Sequence, residues 1–305
     1  MKYFSAMLVV LCMLLGGCQN QQNQYIDFSR PSANPPVYSR AEQEQGPILI
    51  ALASVMSPYE TISYYRKIAE HISRETGRQV VLIQRKTYAE VNMLLANGDV
   101  DIAFLSTGAY SSYQGMNEIE ILVMAEHGDN VFYNADVIVH TDSSIKTMDD
   151  LKGKVFAFTD PLSYSGHMVI EDYLRQHGTS PEKFFKRYFY TYNHDKSLWA
   201  VANKLADGAS FDSQIYEYAK ERNPELTANI RIIFSTAPVP TGPVVVSKRM
   251  KAEQKEQLRS IFLNMYQDPD TIPALQGLVI DRFVMPEPEF YEPLRLLYSR
   301  MSTAL

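Results

Sequence analysis

Cysteine is almost missing from this chain. Its two copies, Cys12 and Cys18, both fall within the first eighteen of 305 residues, so neither a disulfide framework nor a thiolate metal site organises the body. The sequence spells no HExxH helix, no G-x-S-x-G elbow and no cluster of His, Cys and carboxylates. That argues against a metalloenzyme or a serine hydrolase; the chain is expected to be no enzyme and to need no metal or cofactor. Basic residues are outnumbered, with 29 Lys and Arg against 35 Asp and Glu, and the net charge is -6. Nucleic acid is therefore not expected as a partner, because a phosphate backbone needs a concentrated basic surface. An anion bound by this chain has to be held by local dipoles and hydrogen bonds. Beyond the N-terminus there is no apolar run long enough to cross a membrane, while 46% apolar and 21% charged residues make an ordinary globular composition.

The apolar run that does exist stands first. Lys2 gives a short basic start, residues 6–15 are apolar but too few to span a bilayer, and Leu15-Gly16-Gly17-Cys18 closes the segment. Residues 1–17 thus read as a signal peptide. Small residues just before a cysteine resemble the lipobox of bacterial lipoproteins, which implies cleavage before Cys18 and a lipid on its thiol. A plain signal peptide with an incidental cysteine is the alternative. Residues 18–46, with QNQQNQ, PSANPP and no apolar period, read as a lipidated flexible tether. The expected location is extracytoplasmic, anchored to a membrane through the lipid.

From residue 47 onward short apolar runs alternate with amphipathic stretches, the pattern of an α/β protein with mostly parallel strands. Strands are expected at 48–53, 80–84 and 101–105, and helices at 59–76, 88–96 and 106–113, the first two ended by Gly77 and by Asn97-Gly98. A second series follows, with strands at 137–140, 155–158, 187–192 and 209–212 and helices at 165–177, 197–206 and 213–222. A strand at 230–234, a turn-rich segment at 238–243, a short strand at 244–246 and helices at 252–266 and 288–301 finish the chain. About 260 residues is large for one core and natural for two lobes. The expected division is 47–135 plus 243–305 for lobe 1 and 136–242 for lobe 2, with crossings near 135–139 and 242–246.

Ligands of open α/β sheets sit where strands end and the next helices aim their unpaired N–H groups. Four such junctions are rich in hydroxyls and small residues: 54–57, 106–108, 160–166 and 212–213. The third, Asp160-Pro161-Leu162-Ser163-Tyr164-Ser165-Gly166, converges two hydroxyls, several N–H groups and a positive helix end, which suits a tetrahedral oxyanion. The other reading is that Ser163 or Ser165 merely caps the helix, and the local sequence leaves the two open. His194 follows the strand at 187–192 and is placed to donate to the same anion, or to cap or lie exposed. Tyr88, Tyr110 and Tyr133 are aromatics near element ends, not distinctive among 20 tyrosines.

KTYAEV around Tyr88, NGDVDIAFLSTGAY (97–110), VFYNADVIVHTDSSIKTMDDLKGKVFAFTDPLSYSGHMV (131–169), NHDKSLWAVANKLADGASFDS (193–213) and APVPTGPVVV (237–246) form an ordered series. In that series the chain resembles the substrate-binding subunits of ABC importers for phosphate, phosphite and phosphonates. The resemblance implies a two-lobed periplasmic-binding-protein fold of type II, with mixed or parallel sheets flanked by helices, that closes on its ligand by hinge motion. It implies a small phosphorus oxyanion as ligand and an ABC permease as partner; a monomer is expected. Position by position it implies Ser163, Tyr164, Ser165 and His194 around the anion from lobe 2, Tyr88 and Tyr133 on the other side, and Asp212 beside it. A carboxylate next to an anion is favourable only with a proton between them, so Asp212 is expected to select a ligand bearing P–OH; its other role is to cap the helix at 213–222.

The chain also departs from the family pattern. Relatives of this kind that bind aminoalkyl phosphonates place carboxylates where Gln214 and Gly242 stand here. A buried ammonium without a charged partner is costly, which disfavours an aminophosphonate against phosphate, phosphite or a small alkylphosphonate. Ser106-Thr107 replaces a Gly-Pro type of turn. The competing function is a sensor, the same fold docking on a membrane histidine kinase or cyclase. Gln19 after the lipid cysteine resembles outer-membrane sorting, which fits an importer less well.

Overall fold

A computed structural model of the chain describes residues 46–302; the expected signal peptide, Cys18 and the tether up to residue 45 lie outside the described residues. The strands, in chain order, are β1 (Ile48–Leu52), β2 (Val80–Gln84), β3 (Ile102–Phe104), β4 (Ile119–Glu126), β5 (Phe132–Tyr133), β6 (Ala135–His140) and β7 (Val155–Phe158). β8 (Arg187–Tyr190), β9 (Gly208–Asp212), β10 (Ile230–Ser235), β11 (Val239–Pro240), β12 (Pro243–Ser247) and β13 (Arg282–Val284) follow. They form a six-stranded sheet in the order β13-β4-β12-β3-β1-β2, a five-stranded sheet in the order β10-β6-β9-β7-β8, and a two-stranded ribbon of β5 and β11. β1 runs parallel to β2 and β3, and β7 parallel to β8 and β9; the remaining pairs are antiparallel.

Helices cover both sheets: α1 (Pro58–Thr76), α2 (Tyr88–Asn97), α3 (Thr107–Ser112), a π turn (Tyr164–Met168) running into α4 (Val169–Gln176), α5 (Pro181–Phe184) and α6 (His194–Ala202). α7 (Ser213–Arg222), α8 (Pro224–Thr227), α9 (Ala252–Asn264), α10 (Ile272–Gly277) and α11 (Glu292–Ser302) complete them. α1 buries Thr61, Ile68, Ala69 and Ile72, a helical spacing that gives it one apolar stripe. α2 starts on a capping box, in which Thr87 accepts from the Glu90 N–H and Glu90 reaches back to the Thr87 N–H.

Because helices lie on both faces, the strands are apolar on both, and successive residues feed separate cores. Ile50, Leu52, Phe104 and Val246 pack with Ile72 and Phe262 on one side of the larger sheet, while Ala51, Ala103 and Val245 pack with Val91 and Tyr110 on the other. The smaller sheet repeats the pattern: Ile138, Ala157 and Phe211 meet Leu198, and Val137, Phe156 and Phe158 meet Ile170 and Leu174. Each fully buried Leu, Ile or Phe contributes about 1.5–3 kcal/mol.

The two connections between the sheets run side by side, Val239 opposite Tyr133 and Pro240 opposite Phe132. The crossings therefore lie a few residues earlier than 135–139 and 242–246, since those stretches are interior strands with nearly every side chain buried. The helix expected at 197–206 instead begins at His194, because extended Asn193 starts it and the chain turns after Asn203 at Lys204. α9 packs on β4, β13 and α1, and α10 packs on α1. α11 does more than return to the first sheet. It packs on α3, its Leu294 and Leu297 share a cluster with Tyr133 and Tyr164, and Arg175 Nη1 donates to the Arg300 carbonyl at 2.9 Å.

Candidate functional site

β7 leads into buried Thr159 and Asp160, and a turn through Pro161 and Leu162 delivers Ser163 to the next helix. That helix opens as a π turn, with the Met168 N–H donating to the Ser163 carbonyl at 3.0 Å. Ser163 Oγ accepts from the Gly166 N–H at 3.0 Å, so this serine is a cap. A capping hydroxyl keeps its own proton, so capping and donation to an anion are compatible roles. A Cβ on Gly166 would stand 2.4 Å from Thr159, so only glycine lets the helix start press this closely on the strand end. The N–H groups of Tyr164 and Ser165, in the first turn, have no acceptor within the helix. Ser210 on β9 donates its hydroxyl to the Ser165 carbonyl and fixes that turn from below.

His194 opens α6 and is buried. The Asp212 N–H donates to its Nδ1 at 3.2 Å, so Nδ1 is the unprotonated nitrogen and Nε2 carries the hydrogen. Nε2 lies 3.5 Å from Ser163 Oγ. Burial pushes the imidazole pKa down to about 3, which makes the ring a neutral N–H donor at physiological pH. With its hydrogen on Nε2 and a backbone amide on Nδ1, it is not arranged to take a proton from Ser163 as a catalytic base would. Asp212 ends β9 and caps α7, Oδ1 accepting from the Gln214 N–H at 2.8 Å. Burial raises its carboxyl from 3.8 to about 7, against the lowering effect of the Gln214 and Ile215 amides.

The facing wall belongs to the larger sheet. Ser106 Oγ caps α3 by accepting from the Ala109 N–H at 3.2 Å, and Thr107 Oγ1 donates to the Pro240 carbonyl at 2.8 Å. Tyr133 on β5 places its hydroxyl beside those of Thr107 and Ser165, and burial raises its pKa. Between the walls lies a cavity of about 120 Å³ that Thr107, Tyr133, Ser163, Ser165, His194 and Asp212 all line. Gln214, Thr241 and Gly242 face it too, and among the described residues no lysine or arginine does.

The walls are drawn together. The His194 N–H donates to the Val55 carbonyl at 2.9 Å, Asn193 Nδ2 to the Ser54 carbonyl at 3.2 Å, and the Ser57 N–H to Asp195 Oδ1 at 3.0 Å. The Tyr88 N–H donates to Asp160 Oδ2 at 3.2 Å, and Lys86 Nζ sits 4.2 Å from the centre of the Tyr192 ring. A Cβ on Gly108 would come within 2.2 Å of the Leu162 carbonyl oxygen, so the start of α3 rests directly on the serine turn. This is a closed cleft.

Five of the residues singled out from the sequence, Tyr133, Ser163, Ser165, His194 and Asp212, share this cavity. Tyr164 does not line it: its ring packs with Val239, Leu294 and Leu297, and its hydroxyl lies beside Thr236, with a pKa raised to about 12 by burial. Consecutive residues of a helix start point different ways, so Ser163 and Ser165 turn inward while Tyr164 turns out. Tyr88 does not line the cavity either. It is fully buried, its hydroxyl has no hydrogen-bond partner, and its pKa is raised by burial and by nearby Asp160, Tyr133 and Asp212. Thr241 was not singled out, and Thr107 was named only within the hydroxyl-rich 106–108 junction, without a role at the site.

A family model described as ABC transporter, phosphonate, periplasmic substrate-binding protein matches residues 50–291. The chain belongs to that family, and with it to the extracytoplasmic substrate-binding components of ABC transporters, which are carriers and not enzymes. The Phosphonates-binding periplasmic protein of Escherichia coli is 24% identical over 250 residues, covering 79% of this chain and 72% of the relative. A binding protein component of an ABC phosphonate transporter from Pseudomonas aeruginosa superposes with a TM-score of 0.78 at 26% identity, covering 86% of this chain and 89% of that one. PhnD1 from Prochlorococcus marinus, solved in complex with methylphosphonate, gives a TM-score of 0.76 at 17% identity, over 85% and 99% of the two chains. The fold is the two-lobed periplasmic-binding-protein fold that the sequence implied.

Proposed function

We propose that this chain captures a small phosphorus oxyanion, namely phosphate, phosphite or an alkylphosphonate, and presents it to the permease of an ABC importer as a monomeric carrier. One observation carries the reading. The Nε2–H of a neutral His194, the hydroxyls of Ser163, Ser165 and Tyr133 and the helix start at Ser165 meet on a single cavity that, among the described residues, no lysine or arginine lines. Short donors from several directions suit a tetrahedral anion, and neutral donors in a dry site hold it strongly without a counter-charge. Asp212 supplies or receives the one proton that lies between carboxyl and ligand. Tyr164 and Tyr88 stay outside this lining, Tyr164 packed with Val239, Leu294 and Leu297 and Tyr88 buried near Tyr133 and Asp212.

Residues 47–135 with 243–305 and residues 136–242 are the two lobes, hinged at the β5 and β11 ribbon. The N-terminal segment delivers the chain across the membrane and Cys18 anchors it there through lipid. The test is calorimetric titration with phosphate, phosphite and methylphosphonate. At least one should bind, and Ser165→Ala and His194→Ala should each weaken it by about 1.5–3 kcal/mol, the value of a hydrogen bond to a charged group. Unchanged affinity in both variants would remove the site assignment.

A further inference from the structure

Two carboxylates that do not line the anion cavity meet helix starts belonging to the opposite wall. Asp160 follows β7 of the smaller sheet, is buried, and divides its oxygens. Oδ1 accepts from the Leu162 N–H of its own turn at 2.8 Å, while Oδ2 accepts from the Tyr88 N–H at 3.2 Å. Tyr88 is the first residue of α2, so its N–H finds no acceptor within the helix, and the Thr87 side chain serves the Glu90 N–H instead. Asp195 lies in the first turn of α6, and its Oδ1 accepts from the Ser57 N–H at the start of α1, 3.0 Å away. Ser57 makes no side-chain cap for α1, so the carboxylate that faces the positive end of this 19-residue helix comes from across the cleft.

The contacts around Asp195 form a short zip. Asn193 Nδ2 donates to the Ser54 carbonyl, the His194 N–H to the Val55 carbonyl, and Asp195 accepts from Ser57, so three consecutive residues of one wall match a four-residue stretch of the other. His194 joins this zip to the site, because its backbone is held by Val55 while its Nε2 faces Ser163. Tyr192, just before the zip, adopts φ of 64°, a left-handed conformation that a bulky residue rarely takes, and lays its ring 4.2 Å from Lys86 Nζ. We propose that Asp160 and Asp195 form a clasp that sets ligand affinity without touching the ligand, each satisfying across the cleft an N–H that the other lobe leaves unpaired. These pairs exist only while the walls meet; apart, each group takes water. Weakening the clasp lowers the binding-competent fraction, and apparent affinity falls in proportion. The two aspartates are thus positioning residues, and the inference rests on the two-lobed fold rather than on which oxyanion is bound.

Hydrogen exchange at two amides of the intact protein tests the clasp, each amide being read in the variant of the other contact. Asp160→Asn keeps an oxygen for the Leu162 N–H and turns an NH2 toward the Tyr88 N–H, which breaks the crossing bond and spares the turn. At saturating phosphate, phosphite or methylphosphonate it should speed exchange at the Ser57 amide by about tenfold, and Asp195→Ala should do the same at the Tyr88 amide, the loss expected of a hydrogen bond to a charged group. Calorimetry should show binding about tenfold weaker in each variant. Asp195→Asn still offers an oxygen to the Ser57 N–H and should fall between Asp195→Ala and wild type, while ligand-free melting temperatures stay at the wild-type value. Exchange that quickens only beside the replaced carboxylate, or wild-type affinity in both Asp160→Asn and Asp195→Ala, would overturn the clasp. If none of the three anions binds the wild type, the oxyanion reading fails, and the same crossed exchange measured on the empty protein decides the clasp: amides of Ser57 and Tyr88 that respond together uphold it, and amides that do not overturn it.

Discussion

Replacing Asp212 by asparagine separates the proton of the site from its shape. Asparagine accepts the Gln214 N–H as well as aspartate does, so α7 keeps its cap. What disappears is a carboxyl that burial lifts from 3.8 to about 7. On the proposed reading, a complex of the wild type shares one proton between carboxyl and ligand. Above about pH 8 both free partners have lost theirs, and each further pH unit should cost about tenfold in affinity, or about 1.4 kcal/mol. The amide carries its own N–H and takes up no proton, so Asp212→Asn should bind the same dianion with little change from about pH 8 to pH 10. Stability moves with it. Between pH 3.8 and about 7 the folded carboxyl keeps a proton that the unfolded chain has lost, so wild-type stability falls as pH rises through that window. The full penalty, on the order of 4 kcal/mol at most, is relieved in the variant, whose ligand-free form should melt higher at about pH 8. Titration calorimetry and thermal melts across pH measure the two effects. Parallel pH profiles for the two proteins would refute the shared proton.

Gly108→Ala, whose Cβ would meet the Leu162 carbonyl at 2.2 Å, should prop the seam open. Solution scattering at saturating ligand should then show a larger radius of gyration than wild type, and an unchanged profile would speak against a closed cleft. Tyr88→Phe removes a buried hydroxyl with no partner from behind the cavity and should raise ligand-free stability by about 1–3 kcal/mol while leaving anion affinity unchanged; a variant with clearly weakened binding would put Tyr88 in the site. Cys18→Ser should move the protein from membrane to soluble fractions, and continued membrane association would contradict the lipid anchor.

Local punctuation made much of the fold legible. β2, β7 and α7 fall at the expected residues, and α1 and α2 stop at Gly77 and Gly98, because caps and turn residues act within a few positions of themselves. β4 escaped notice although Ile119–Glu126 is strongly apolar, since a strand buried on both faces has no alternation to display. β5 and β11, two residues each, exist only because they pair with one another across more than a hundred residues of chain. The same division runs through the site. Ser163, Ser165, His194 and Asp212 all sit at strand ends, where the α/β rule directs attention. The outward turn of Tyr164 and the approach of Thr107 and Thr241 from the other lobe depend on contacts between distant segments, which no local pattern announces.

Among the described residues no lysine or arginine lines the proposed site, and this bears on what the protein should reject. A lysine or arginine would attract every small anion alike, whereas a carboxyl titrating near neutrality asks how many protons the visitor brings. A phosphonate or phosphate monoanion brings one and can donate it to ionised Asp212. A sulfonate brings none at neutral pH, so it depends on Asp212 being protonated and meets a buried like charge once that carboxyl ionises. Above about pH 7 selectivity against sulfonates should therefore grow with pH until the phosphorus ligand also loses its last proton. The neutrality of His194 supports this arrangement, because an imidazolium 3.2 Å from the Asp212 amide would pull the neighbouring carboxyl pKa down and erase the distinction. Burial of both groups thus gives a donor that stays uncharged and an acid that titrates near neutrality, and on the proposed reading the pair discriminates by protonation rather than by charge.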